Sequence, residues 1–310
     1  MTTTPAPKFG VDLITFYDPR FWGLSTNEEL LELRRVAPLE LWTTILDTLG
    51  AAGFTAIELT FPPADPTSAI DAFGSVEAFK AELDKRGMEV TSAFWAGSDH
   101  DWRFAQDIDA IVAEAEERAD FIARAGGSVL VAGLPMRKTL GERPAFFVDA
   151  PYMQRMADIA HRVGEATLRH GIRTAFHTES NSTLWYERDI DLFLGLTDPR
   201  YVYFCPDSCH ITLGGGDPVQ VAERHASRIV LAHWKDAVGP MEAELVIDET
   251  VYERQQPFMC ALGDGVVDWK GWGAAMARTP GSDTILIELD AAANPLAAMR
   301  AGKAVVEGLS

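Results

Sequence analysis

The chain reads as an α/β protein of the (β/α)8 TIM-barrel class, and three observations point there. Short β-forming apolar runs begin near residues 9, 54, 89, 128, 173, 201, 229 and 284, a mean spacing of about 39 residues, which is an ordinary βα repeat for an eightfold barrel. Stretches of helical period separate these runs up to the C-terminus. No Gly-x-Gly-x-x-Gly follows the first run, which counts against the competing doubly wound open sheet. At 310 residues, 47% hydrophobic and 24% charged, the chain is long enough for one such barrel, expected as a single domain over 1–310.

The elements follow in order. A strand is expected over 9–16, then an aromatic, Pro-bearing loop over 17–23 whose irregularity suits a pocket wall. A helix over 38–52 ends at Gly53 and feeds a strand over 54–60; a helix over 75–86 ends at Gly87 and feeds 89–95. A long helix over 107–124 closes at Gly126-Gly127 before 128–132. Helices over 152–170, 187–196, 218–225 and 269–277 then lead into strands beginning at 173, 201, 229 and 284, and a helix over 295–306 closes the chain. Eight strands and eight helices are expected. One interval is long: an insertion over about 237–267 separates the seventh and eighth strands and belongs on the C-terminal face, where such barrels carry their chemistry.

Composition narrows the function. With 46 acidic against 27 basic residues the net charge is −19, which opposes binding to nucleic acid or to anionic lipid. No apolar leader and no run of roughly 18 apolar residues occurs, so a cytoplasmic location is expected. Three cysteines, Cys205, Cys209 and Cys260, form neither a disulfide framework nor a zinc-finger spacing, and are expected to be reduced and buried.

Four apolar runs stop at a metal-type ligand: Arg173-Thr-Ala-Phe-His-Thr-Glu179, Val202-Tyr-Phe-Cys-Pro-Asp207, Ile229-Val-Leu-Ala-His233 and Thr284-Ile-Leu-Ile-Glu288. Any one of these acids alone is more often a helix cap. Four of them ending strands five to eight of one barrel can converge, and Glu179, Asp207, His233 and Glu288 then form a mixed oxygen and nitrogen site. Mn²⁺, Mg²⁺ or Co²⁺ suits that set, with Zn²⁺ less expected. His177 shares a strand face with Glu179, so it is a candidate proton carrier, against the plainer role of a hydrogen-bonding pocket histidine. His210, three residues after Asp207, is placed to orient it, and Lys235 shares the face of His233 and is placed to bind a substrate oxygen or pair with an acid. Glu58, ending the second strand, is a candidate pocket acid, a solvent-facing ion pair being the alternative. Trp95, ending the third, is expected to line the substrate pocket. The Gly214-Gly-Gly-Asp217-Pro218 stretch lacks the Lys-Ser/Thr of a phosphate loop and reads as a helix start.

Together, Phe176-His-Thr-Glu-Ser-Asn181, Pro206-Asp-Ser-Cys-His210, His233-Trp-Lys-Asp236 and Ile287-Glu-Leu289 resemble the xylose isomerase-like barrels of the sugar phosphate isomerase/epimerase superfamily, over nearly the whole chain. The resembling Glu, Asp, His and Glu of that group bind one divalent ion, and its two glutamates flank the substrate as acid and base; the resemblance assigns those tasks to Glu179 and Glu288. The ligand spacings of 28 and 26 residues are similar to the group's, whereas the 55 residues from His233 to Glu288 are longer because of the insertion.

The implied chemistry is removal of a proton next to a sugar carbonyl, with the resulting enediolate stabilised by the metal. Reprotonation gives an epimerase or isomerase, the outcome expected first. Expulsion of a neighbouring group gives a lyase on a 3-keto sugar or 3-keto glycoside, as in dehydratases or the large subunits of C-glycoside deglycosidases, which the aromatic loop and insertion resemble. A non-catalytic sugar-binding barrel is the reading from another class, and a metal-dependent apurinic endonuclease is opposed by the acidic charge. The expected partners are a small sugar or glycoside and other copies of the chain, with a small second subunit as a further option. Tyr252, Phe258 and Trp269, in or beside the insertion, are expected to be covered by the barrel mouth or another subunit.

Overall fold

The computed structural model describes residues 7–96, 102, 107–137, 147–242, 246–248 and 250–309. Parallel strands β1 (Lys8–Asp12), β2 (Ala56–Leu59), β3 (Glu89–Trp95), β4 (Val129–Ala132), β5 (Arg173–His177), β6 (Tyr203–Cys205), β7 (His233–Trp234) and β10 (Thr284–Ile287) run in the order β6-β5-β4-β3-β2-β1-β10-β7. Bridges from Phe204 to Ile229 and from Asp207 to His233 bring β6 and β7 together and close the ring. The eightfold barrel expected from the alternation is therefore the observed fold. The short pair β8 (Asp236–Ala237) and β9 (Met259–Cys260) is antiparallel and lies at the two ends of the insertion.

Two strand ends and two helices differ most from the expected ones, each for a local reason. The first strand stops at Asp12 because its carboxylate caps the Ile14 amide at 2.7 Å and turns Leu13–Phe16 into a 3-10 turn. The seventh strand shrinks to His233–Trp234, since Pro206 on its neighbour has no N–H to give and only single bridges hold 229–232. Helices Asn27–Val36 and Pro66–Phe73 were not expected; Thr26 and Glu29 form a reciprocal capping box, and Asp65 caps the second helix ahead of its Pro66. The short helices Ser208–Leu213 and Val251–Gln255 were not expected either, whereas the eight expected helices lie close to where their period placed them, with Gly53 left-handed at φ 75° after Pro38–Ala52 and Asp217 capping Pro218–His225.

Two compartments of the core lie against the strands. Residues facing outward from the strands, such as Leu130, Phe176 and Phe204, meet Ile122, Phe193 and Trp102 in the layer beneath the helices. Inside the barrel, Val129, Val131, Ala175, Cys205, Val230, Leu231 and Leu286 pack into an apolar plug with Phe94. Close approach needs glycine at one helix position: a Cβ on Gly164 would stand 2.0 Å from the Tyr201 carbonyl oxygen. Among the described residues no helix is long and apolar enough to cross a membrane.

Candidate metal and acid-base site

Above the apolar plug, the C-terminal strand ends gather six carboxylates, Asp12, Glu58, Glu179, Asp207, Glu288 and Asp290, around His177, His210, His233 and Lys235. Asp207 shows how one residue serves two purposes. Its Oδ1 accepts the His210 amide at 3.0 Å and caps helix Ser208–Leu213, while its Oδ2 faces His177 Nε2 at 3.7 Å, His233 Nδ1 at 3.8 Å and His210 Nε2 at 4.0 Å. The capping role and the site role coexist because the strand-to-helix turn splits the two oxygens.

His233 stands between two acids, with Nε2 2.9 Å from Glu58 Oε1 and Nδ1 2.6 Å from Glu288 Oε2. Neither approach has hydrogen-bond geometry. Seven buried atoms here lack a hydrogen-bond partner: Glu58 Oε1, both nitrogens of His177, Asp207 Oδ2, both nitrogens of His233 and Glu288 Oε2. Buried polar atoms are nearly always satisfied, so a concentration of them around one point marks a place for a ligand. Atoms bound to one cation at about 2.1 Å stand roughly 3 Å apart, and the separations here bracket that value. The donors of His177, Asp207 and His233 lie within 4.8 Å of one another, as do those of Asp12, Glu58 and His233. Burial holds Asp12 and Glu179 well above the usual carboxylate range, a cost that a cation among these six carboxyl groups would relieve. Donor set, unpartnered atoms and charge all fit a divalent ion.

Electrostatics sort the remaining groups. Burial pushes His177 below the usual histidine range, so its imidazole is neutral at neutral pH with both nitrogens unpartnered. Burial likewise lowers His210 to about 3. The Ser180 amide N–H points at His210 Nδ1 at 3.2 Å, which makes Nδ1 an acceptor and leaves the proton on Nε2, 3.3 Å from Glu179 Oε1. His210 therefore orients Glu179 as well as touching Asp207. Burial and the neighbouring acids hold Glu179 well above the usual carboxylate range despite Lys235. Burial works against the Lys235 charge, but Asp290 and Glu288, each 2.6 Å from its Nζ, outweigh it and keep the ammonium.

The match to the family model described as xylose isomerase-like TIM barrel runs over residues 46–308. The chain belongs to this family. It is 27% identical over 278 residues to the rhizopine catabolism protein MocC of Rhizobium meliloti, covering 86% of this chain and 78% of that one. Inosose dehydratase of Lacticaseibacillus casei is 24% identical over 284 residues, covering 87% and 89%. A solved structure of the IOLI protein with a bound zinc atom superposes with a TM-score of 0.68 at 12% identity, covering 97% of each chain, a likeness of fold.

Within this xylose isomerase-like barrel, the expected ligands Asp207, His233 and Glu288 meet at the centre, and Glu179 lies beside them, its Oε2 3.9 Å from His177 Nδ1. Glu58 is fully buried, accepts from Ser92 Oγ and faces His233, so the solvent ion pair is not its fate. Trp95 is a correction. Its side chain leaves the barrel interior, donates Nε1–H to Glu114 at 2.8 Å and lies beside Arg118 and Trp102 on the helix side, because in a period-2 strand Ser92 and Phe94 take the inward face. Two site acids were missed. Asp290 stands two residues after Glu288, the same spacing that singled out His177 with Glu179; Asp12 was hidden by a strand drawn too long. In the aromatic loop, Tyr17 packs edge-on against Phe61 and its hydroxyl accepts the Ala64 amide. Trp269 is buried and stacked on Trp234, Phe258 is partly buried, and Tyr252 is 56% exposed, so the barrel mouth does not cover it.

Proposed function

We propose that this barrel is a divalent-metal-dependent enzyme that removes the proton next to the carbonyl of a polyhydroxylated ketone, a keto sugar or ketocyclitol. The observation that carries the reading is the cluster of unpartnered donor atoms on Asp207, His233 and Glu288 within a six-carboxylate pocket. Glu179 would complete that ligand set, since its buried carboxyl needs a cation nearby to ionise. When bound, a divalent ion draws electron density from a ketone oxygen and its neighbouring hydroxyl and so acidifies the C–H between them. Mn²⁺ is the first candidate and Mg²⁺, Co²⁺ and Zn²⁺ are the others.

His177 is the proposed base. Its neutral imidazole is unpartnered, whereas a carboxylate committed to a cation is a weakened base. Across Glu288, the Lys235 ammonium held by Asp290 is the proposed acid. A base on one side and a charged acid on the other suit elimination: His177 takes the proton, the C–H pair becomes the new C=C bond, and the neighbouring group leaves with its own bonding pair and a proton from Lys235. That is lyase chemistry, in keeping with the inosose dehydratase relatives. The epimerase or isomerase outcome is favoured by one different feature, the two carboxylates Glu179 and Glu288 flanking the centre.

The test is elemental analysis of protein purified without chelator, followed by solvent-deuterium exchange and product analysis on ketohexoses, ketocyclitols and 3-keto glycosides. Close to one equivalent of metal and exchange at the α-carbon are expected. A metal-free protein with full activity would sink the reading; exchange with an unsaturated product identifies the lyase, and exchange with a stereoisomer the epimerase. Binding without exchange would make the chain a sugar-binding barrel.

A further inference from the structure

The insertion is fastened onto the barrel rather than draped over it. The buried carboxylate of Asp236 accepts from the amides of Ala237, Gly263, Gly265 and Val267 and from Trp269 Nε1, so one side chain at the head of the insertion holds its returning end. The β8–β9 pair adds a second tie. Between them lies the short helix Val251–Gln255.

From that helix Gln255 is fully buried. Among the described residues its amide nitrogen makes a long 3.5 Å contact with the Ser180 carbonyl and its Oε1 has no partner. Ser180 is next to Glu179 and holds His210, so the Gln255 amide enters the wall of the acid-base site. On the same turn Tyr252 is open to solvent. An amide left unsatisfied in a buried setting is unfavourable, and this one lies against Ser180, the residue between Glu179 and Asn181 that also holds His210.

We propose that Gln255 is a substrate-recognising residue, its amide reading one hydroxyl of the bound polyhydroxylated ketone. The inference rests on the function proposed above. An amide donates and accepts at once, as a hydroxyl does, so the pair satisfies both partners. The insertion is then a specificity element: it leaves the metal and acid-base groups to the strand ends and supplies its own contact to the substrate's periphery.

The experiment uses full-length, Mn²⁺-loaded wild type, Q255L and Q255N in calorimetric titrations with D-fructose, D-psicose, a myo-inositol-derived ketone and single-deoxy analogues of each. Wild type is expected to bind at least one parent compound, and Q255L to bind it roughly tenfold or more weakly, the scale of one hydrogen bond. One deoxy analogue is expected to lose the difference between the two proteins. Metal content and melting temperature, read alongside, should stay at wild-type values. If Q255L does not fold, Q255N, which withdraws the amide by one methylene, is expected to show the same selective weakening. Unchanged affinity of a folded variant for every probe overturns this inference alone, whereas a wild type that binds none of them overturns the functional reading along with it.

Discussion

The barrel mouth has two unlike walls built on the same scaffold. At the ends of β5, β6, β7 and β10 the inward positions carry His177 and Glu179, Asp207, His233 and Lys235, Glu288 and Asp290. At the ends of β3 and β4 they carry Ser92, Phe94 and Val131, and among the described residues the Ser92 hydroxyl on Glu58 is the polar contribution. Both walls obey the same alternation and the same parallel register. The difference teaches that the fold supplies only addresses; chemistry depends on which residue stands at the last inward position of each strand. The polar wall is also the less satisfied one, since six of its buried atoms lack hydrogen-bond partners, and so its stability is tied to what binds there.

Substitutions can break that contrast from the polar side first. Asp207→Ala and Glu288→Ala should each take the metal from about one equivalent to a small fraction and abolish turnover, as expected for ions held by deprotonated ligands; retention of metal by both, measured by elemental analysis, would break the assignment of this wall. Lys235→Met should follow in size. It leaves Glu288 and Asp290 buried without their ammonium, a loss of roughly 3–5 kcal/mol in denaturant unfolding for a broken buried pair; a loss below about 1 kcal/mol would show that the acids find other partners.

His177→Ala sharpens the contrast within the wall. It should keep the metal and lose on the order of 10²-fold in turnover, the scale of a lost general base. Loss of metal with activity would instead make His177 a ligand, the role its 3.7 Å approach to Asp207 also permits. The smallest effect belongs to the other wall. Trp95→Phe removes one hydrogen bond to Glu114, worth about 0.5–1.5 kcal/mol, and should leave metal content and turnover unchanged. A drop in activity there would mean that the helix side of β3 communicates with the site.

Much of the polar wall was legible because strand periodicity is local. An apolar run that stops at a ligand announces both a strand end and its last inward residue, and the two-residue spacing pairs His177 with Glu179 and His233 with Lys235. Applied without exception, the same spacing would have added Asp290. Asp12 was obscured because a capping carboxylate ends the strand inside an unbroken apolar run, where composition shows no boundary. Gln255 carries no signal of any kind in the sequence: glutamine in an insertion is ordinarily solvated, and its burial follows from the tie made by Asp236 some 19 residues earlier.

By itself, then, the order of residues determined the alternation of strands and helices, the closure that eight such repeats imply, and the candidate ligands at the strand ends. These depend on backbone preference and period, which act over a few residues. Only the tertiary structure decided that Glu58 faces His233, that Trp95 turns outward to Glu114, that Asp12 joins the acids, and that Gln255 reaches the wall beside Ser180. Alternation divides a strand into two faces without saying which is inward; ring closure makes that choice. It sets β1 beside β10, residues some 276 positions apart in the chain, and brings charges together whose mutual cost no local pattern records.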